Sequence, residues 1–288
     1  MPIKAENVDY TYQAQAVYTR QALEKITFHI DDGEIVGIIG RAGAGKTTLL
    51  KLLNGLLKPD AGKIFIDEID GSALKKNSPL LIKKAALVWQ FPEQQLFETT
   101  VYKELAFGLK SQHLDPAEEK KRIQEAMEQV GLDYERFNER QPSTLSSGEK
   151  RRLSIACFLV LKPRYLLMDE SLAGLDASGT ERLMELLTRL NCKDGVGIII
   201  TGHNLGQLSR FCNRIMMLEE GRLLIDTPTI ALADYYDQLT ERGFTLPVHQ
   251  EVLYHLKSRG WDIDTRVHDA EEAVLRIMSS LIIPGGKV

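Results

Sequence analysis

Apolar residues along this chain recur with two different periods. Val8, Tyr10 and Tyr12 alternate with polar neighbours, as do Ile26, Phe28 and Ile30; period two predicts half-buried strands, paired antiparallel. The segment Glu34–Gly40 (EIVGIIG) is instead apolar on both faces, the pattern of a central parallel strand. Tyr165–Asp169 (YLLMD) and Gly197–Thr201 (GIIIT) share that character. Stretches of helical period lie between them. In Asp115–Val130, Asp115 suits an N-cap, Pro116 the first turn and Gly131 the C-terminal cap. Ile123, Ala126, Met127 and Val130 then line one helix face. Glu219-Glu220-Gly221-Arg222, between apolar runs, predicts a hairpin turn. Buried strands alternating with helices predict an α/β fold, a sheet flanked by helices. From about Asp226 onward, Pro228, Pro247 and Gly260 punctuate short helical patterns such as Val252–Leu256 and Ala273–Met278. That texture predicts an appendage packed on the main domain or on a partner.

Composition narrows the classes. The chain has 288 residues, 43% of them hydrophobic, with 36 basic and 40 acidic side chains and a net charge of −4. This is too apolar for a disordered chain and too acidic to hold nucleic acid through phosphate contacts alone. No apolar run approaches the ~20 residues of a membrane span. The start, MPIKAENVDY, lacks a signal-peptide core, so a cytoplasmic chain is expected. The three cysteines form no C-x-x-C pair and the six histidines show no zinc spacing. Neither a disulfide framework nor a metal site built from side chains alone is expected.

The chemistry begins at Gly40-Arg41-Ala42-Gly43-Ala44-Gly45-Lys46-Thr47, a full match to G-x-x-x-x-G-K-[ST]. Phosphates need many donors close together, and glycine, lacking a Cβ, lets backbone N–H groups converge. An apolar strand precedes the loop and the helical pattern KTTLLKLLNGL follows. A helix starting near Lys46 aims its N-terminal dipole at an anion. Lys46 is the candidate for the β- and γ-phosphates, and Thr47 for Mg²⁺. Leu166–Glu170 is an apolar strand ending in two carboxylates. Asp169 fits the Mg²⁺-holding aspartate of such enzymes, and Glu170 the group that orients or deprotonates water. Taken alone, the pair reads as a turn or helix cap; the phosphate loop upstream turns that reading toward the site.

Leu145-Ser146-Ser147-Gly148-Glu149-Lys150-Arg151-Arg152 is similar to the LSGGQ signature of the ATP-binding cassette (ABC) family, with Ser146 standing 23 residues before Asp169 as in that family. Other stations follow in order. Gln90, closing AALVWQ, resembles the Q-loop glutamine, and Leu175-Asp176 the D-loop. His203, 33 residues beyond Glu170, resembles the switch histidine. Tyr12 looks like the aromatic that stacks on adenine, with Tyr10 and Tyr18 as alternatives. The resemblance runs from about Ile3 to Thr227. It implies a RecA-like P-loop core with an antiparallel β subdomain in cassette 1–227, and a helical subdomain over about 91–160. Residues 228–288 form the C-terminal appendage. Three positions depart from the family pattern: Ser147 for glycine, Glu149 for glutamine, and Ser171 where proline is usual. Ser146-x-x-Glu149 is also a capping box for the helical run Lys150–Leu161, compatible with an anion site.

In ABC proteins the signature faces the ATP of a second subunit. The resemblance therefore implies a head-to-tail pair. Each ATP is held between Tyr12 and Gly40–Thr48 of one chain and Ser146, Ser147, Gly148 and Asp176 of the other. Lys46, Thr47, Asp169 and Gln90 organise Mg-ATP, with Thr47, Gln90 and Asp169 directed to the metal. Glu170 polarises the water and His203 contacts the γ-phosphate.

Gln90-Phe91-Pro92-Glu93-Gln94-Gln95-Leu96-Phe97, then Thr100-Val101 and Glu104–Gly108 (ELAFG), resembles the ATPases of energy-coupling factor (ECF) transporters and of cobalt or nickel importers. So does the tail, where Leu246-Pro247-Val248 opens a helix. This implies a peripheral ATPase on the cytoplasmic face of the cell membrane. Its partners are a second cassette, a transmembrane scaffold (T) subunit and a substrate-binding membrane (S) subunit. The cargo class is a vitamin or a transition-metal ion, chosen by a separate subunit, and the tail supports association of the two ATPases. Glu93 and Glu98 are candidates to pair with scaffold arginines, and Lys150–Arg152 reads as either a solvated face or an interface. The alternatives are the ATPase of another ABC transporter class or a soluble ABC motor.

Overall fold

The computed structural model describes residues 2–14 and 18–281. The alternating segments form β1 (Ile3–Ala14) and β2 (Tyr18–Ile30), paired antiparallel. Strand β3 (Ile35–Ile39) runs through the glycine-rich loop into α1 (Lys46–Asn54). Then β4 (Ala61–Ile66) returns to β1 and β5 (Ile69–Asp70) to β4, both antiparallel. Helix α2 (Pro79–Lys84) delivers β6 (Ala85–Val88). A helical insertion follows: α3 (Val101–Leu109), α4 (Pro116–Gln129), α5 (Tyr134–Phe137) and α6 (Ser147–Leu159). After it come β7 (Tyr165–Met168), α7 (Ala177–Asp194), β8 (Gly197–Gly202) and α8 (Leu205–Leu208). The hairpin β9 (Arg214–Glu219) and β10 (Arg222–Pro228) turns at the predicted Glu219–Arg222. The chain ends with α9 (Tyr236–Glu241), α10 (Val248–Ser258) and α11 (Ala270–Leu281).

Two sheets result: an antiparallel one ordered β2-β1-β4-β5 and a six-stranded one ordered β10-β9-β3-β8-β7-β6. The second is parallel except at its hairpin edge. Its central strands serve two cores. Ile35, Ile39, Leu166, Met168, Ile198 and Ile200 pack beneath α3, α4, α6 and α7, while Val36, Ile38, Tyr165, Leu167 and Ile199 pack against α1 and the antiparallel sheet. Burial on both faces is why these strands show no alternation. In the antiparallel sheet one face is covered, and Val8, Tyr10, Ile26, Phe28 and Ile30 point into the core.

Local chemistry sets the helix ends. The Asp115 carboxylate accepts the Ala117 and Glu118 N–H groups at 3.0 and 3.1 Å. Gly131, one residue beyond the C-cap Val130, takes φ +70°, as a glycine after a helix does. In the tail, Leu232, Ala233, Leu239, Phe244 and Leu246 join the larger core, whereas Leu253, Ile263, Val267 and Ala273 form a small cluster of their own. The first part of the tail thus packs on the main domain, as an appendage does, and Tyr254 of α10 still reaches that core. Among the described residues no helix is long and apolar enough to cross a membrane.

Candidate active site

The glycine-rich loop leaves β3 and closes on the N-terminus of α1. Gly45 takes φ +106°, and a Cβ there would lie 2.7 Å from the Ala22 carbonyl oxygen. Only glycine fits that approach without displacing backbone. Lys46 is 6% exposed, and its Nζ donates to the Gly40 carbonyl at 2.7 Å and the Arg41 carbonyl at 3.3 Å. The ammonium is thus folded across the loop it serves. It also lies 3.3 Å from Glu170 Oε1, which joins the loop to the second acidic element.

That element is the end of β7. Thr47 Oγ1 donates to Asp169 Oδ2 at 2.8 Å, and Asp169 is 5% exposed. Hydroxyl and carboxylate oxygens side by side are the hard donors Mg²⁺ requires. Glu170 takes φ +44°, a left-handed conformation unusual for a side-chain-bearing residue. Tyr12 borders the same cavity, with its hydroxyl 3.3 Å from Thr48 Oγ1 and its ring edge-on to Tyr10. Tyr10 is buried while Tyr12 is exposed, so of these two the ring available to a base is Tyr12; the Tyr18 side chain lies outside the described residues. The cavity, of ≈ 310 Å³, is lined by Tyr12, Ala42–Thr48, Gln90, Asp169 and Glu170. It also includes Arg20 and Ala22, which sequence reasoning missed. Arg20 is the direct cross-strand partner of Tyr12, and its Nη2 donates to the Gly43 carbonyl at 3.4 Å. Arg41 turns the other way and donates to the Arg242 carbonyl at 3.0 and 3.3 Å, tying the loop to the tail.

The signature lies elsewhere in the chain. Ser147, Gly148 and Asp176 line a separate cavity of ≈ 390 Å³ together with Arg151 and Arg152. Ser146 caps α6 in a complete capping box: its N–H and Oγ each donate to Glu149 Oε2 at 2.8 Å, and the Glu149 N–H returns to Ser146 Oγ at 3.3 Å. The Ser146 N–H, foremost, and its hydroxyl hold the Glu149 carboxyl below its ordinary value. Asp176 caps α7 by accepting the Gly179 N–H at 2.7 Å. His203 follows β8 and is exposed, outside both cavities. Within the chain, Glu93 pairs with Arg151 at 3.3 Å and Glu98 with Lys110 at 3.9 Å. Arg151, at 7% exposure, is buried and lines the signature cavity rather than a solvated face.

A phosphate loop ending on a hydroxyl–carboxylate pair, in a parallel sheet bearing an antiparallel subdomain and a helical insertion, defines a P-loop nucleotide-hydrolysing cassette. The chain matches the ABC transporter family over residues 23–173. The energy-coupling factor transporter ATP-binding protein EcfA2 of Caldanaerobacter subterraneus subsp. tengcongensis is 39% identical over 282 residues, covering 98% of each chain. That of Clostridium tetani is 34% identical over 273 residues, covering 95% of each. Among solved structures, cbiO1 from Clostridium perfringens, described as part of the ABC transporter complex cbiONQ, aligns with a TM-score of 0.73 at 30% identity, over 89% of this chain and 98% of that one. A dimeric cassette in a post-hydrolysis state, bound to ADP and Pi, aligns with a TM-score of 0.66 at 30% identity, over 79% of this chain and 98% of that one. The chain belongs to the ABC transporter family and is an ABC-type ATPase of the energy-coupling factor group.

Proposed function

We propose that this chain pairs head-to-tail with a second ABC cassette, each ATP lying between the phosphate loop of one and the signature of the other. The observation that carries this reading is the separation of two half-sites. Tyr12 and Ala42–Thr48 share one cavity, while Ser147, Gly148 and Asp176 share another on the same chain. Each half-site has anion-binding chemistry that the other completes. Backbone donors and Lys46 supply one, and the capped N-terminus of α6 supplies the other. Thr47 and Asp169, with Gln90 at the cavity wall, are the residues to hold Mg²⁺, which when bound neutralises phosphate charge. Glu170 orients the attacking water and takes its proton, and His203, exposed at the end of β8, contacts the γ-phosphate once the cassettes close.

The pair sits on the cytoplasmic face of the membrane, against a T subunit and an S subunit, and couples ATP hydrolysis to uptake of a vitamin or transition-metal ion. The names of the ECF and cbiO relatives support this, and so does the exposed apolar row Val274, Leu275, Met278 and Leu281 on α11. Such a row is a contact surface for another subunit, in keeping with a tail that joins two ATPases. Co-expression with a T subunit tests the placement. The full chain is expected to sediment with membranes when the T subunit is present and to remain in the supernatant when it is omitted. A chain that stays in the supernatant in both cases contradicts the transporter reading and favours a soluble motor.

A further inference from the structure

The Asp169–Glu170 pair is held by a residue that the phosphate-site motifs do not include. Thr201 lies on β8, between its parallel neighbours β3 and β7, and is fully buried at 0% exposure. Its Oγ1 donates to Asp169 Oδ1 at 2.9 Å and accepts the Glu170 backbone N–H at 2.9 Å. One hydroxyl thus gives its proton to one acidic residue at 2.9 Å, the Met168 carbonyl being a longer second acceptor at 3.5 Å, and a lone pair to the next. The other Asp169 oxygen, Oδ2, accepts from Thr47. A carboxylate held at both oxygens has its plane fixed, and only then do its free lone pairs point one way. The Glu170 N–H bond acts on the backbone of a residue in the left-handed region, φ +44°, where a side-chain-bearing residue stays only if its surroundings hold it.

We propose that Thr201 is a positioning residue for ATP hydrolysis. Its hydroxyl sets the Asp169 plane toward the metal and keeps Glu170 in the turn that directs its carboxylate to the cavity. It also fastens both residues to β8, beyond whose end His203 follows, two positions after Thr201. Valine fills the same space but leaves Asp169 Oδ1 and the Glu170 N–H without this partner in a buried setting. The proposal rests on Asp169 and Glu170 having the metal-binding and water-orienting roles.

The test uses the full chain carrying Thr201→Val or Thr201→Ser, with two readouts. The first is binding of a fluorescent ADP analogue to the isolated chain as Mg²⁺ is titrated; the second is kcat and KM for ATP after assembly with the second cassette. Thr201→Val is expected to keep its Mg²⁺-free affinity, to need about tenfold more Mg²⁺ for half-saturation, and to lose about tenfold in kcat at unchanged KM. Thr201→Ser, which keeps the hydroxyl, restores both. Wild-type Mg²⁺ dependence and kcat in Thr201→Val overturn the proposal. So does a Thr201→Ser as impaired as the valine variant, because packing of the methyl group then explains the loss. Thr201→Ala carries the same expectation if the valine variant does not fold. Asp169→Asn, run in parallel, separates the two layers. If it too leaves the Mg²⁺ dependence unchanged, the role of Asp169 fails and Thr201 falls with it. If only the Thr201 variants are unchanged, the positioning role alone fails.

Discussion

Glu170→Gln is expected to cut ATP turnover by ~100-fold or more, the scale on which a positioned general base acts. Binding is expected to survive. Gln is the same size, so the cavity keeps its shape, and the change removes a negative charge 3.3 Å from Lys46 Nζ. Like charges near a γ-phosphate weaken its binding, and a neutral amide removes that repulsion while leaving Lys46 free to turn to the phosphate. The variant should therefore hold ATP at least as tightly as the wild type and accumulate as the ATP-bound pair of cassettes. Phosphate release measures the first effect, and light scattering of the assembled complex with ATP measures the second. Normal turnover in this variant contradicts the assignment of Glu170.

Lys46→Ala acts one step earlier. The Lys46 ammonium is nearly buried, with two loop carbonyls and one carboxylate around it. Its charge is the main positive counterpart for a triphosphate at this loop, alongside backbone N–H groups. Charge-assisted hydrogen bonds contribute about 1.5–3 kcal/mol each, so losing Lys46 costs about 3 kcal/mol, or ~100-fold in ATP affinity. Calorimetric titration of the isolated chain with ATP reads this directly. An affinity within a few-fold of wild type contradicts the placement of phosphate over Lys46.

The two variants rest on features that are short-range in sequence, and those are the features the sequence shows. A phosphate loop needs glycines, lysine and threonine at fixed offsets. A strand buried on both faces reads as an unbroken apolar run, and a capping box spans only Ser146 to Glu149. The features that stayed hidden depend on neighbours across a sheet or far along the chain. In GIIIT nothing marks Thr201 as different from a strand-end threonine until β8 is laid beside β7. Arg20 faces the phosphate loop only because it pairs with Tyr12 across β1 and β2, in a register that contains irregularities. The Arg41 side chain finds its acceptor 201 residues away, at Arg242. The pairs of Glu93 with Arg151 and of Glu98 with Lys110 likewise form only when the helical insertion folds. Long-range packing also decides where the start of the tail sits: Leu232, Ala233, Leu239, Phe244 and Leu246 complete a core whose other members lie in the cassette.

Head-to-tail pairing itself is tested most directly by Ser146→Arg, with two numbers compared: ATP affinity of the isolated chain, and ATP turnover of the assembled complex. Ser146 sits at the capped start of α6, and its neighbours Ser147 and Gly148 line a cavity that the phosphate loop does not share. An arginine there blocks close approach of a second cassette's nucleotide without touching the loop on its own chain. The predicted result is wild-type ATP affinity in isolation together with loss of about 100-fold or more in turnover after assembly, on the scale of a removed transition-state contact. Weakened ATP binding in the isolated chain, or wild-type turnover in the complex, contradicts a nucleotide site shared between two cassettes.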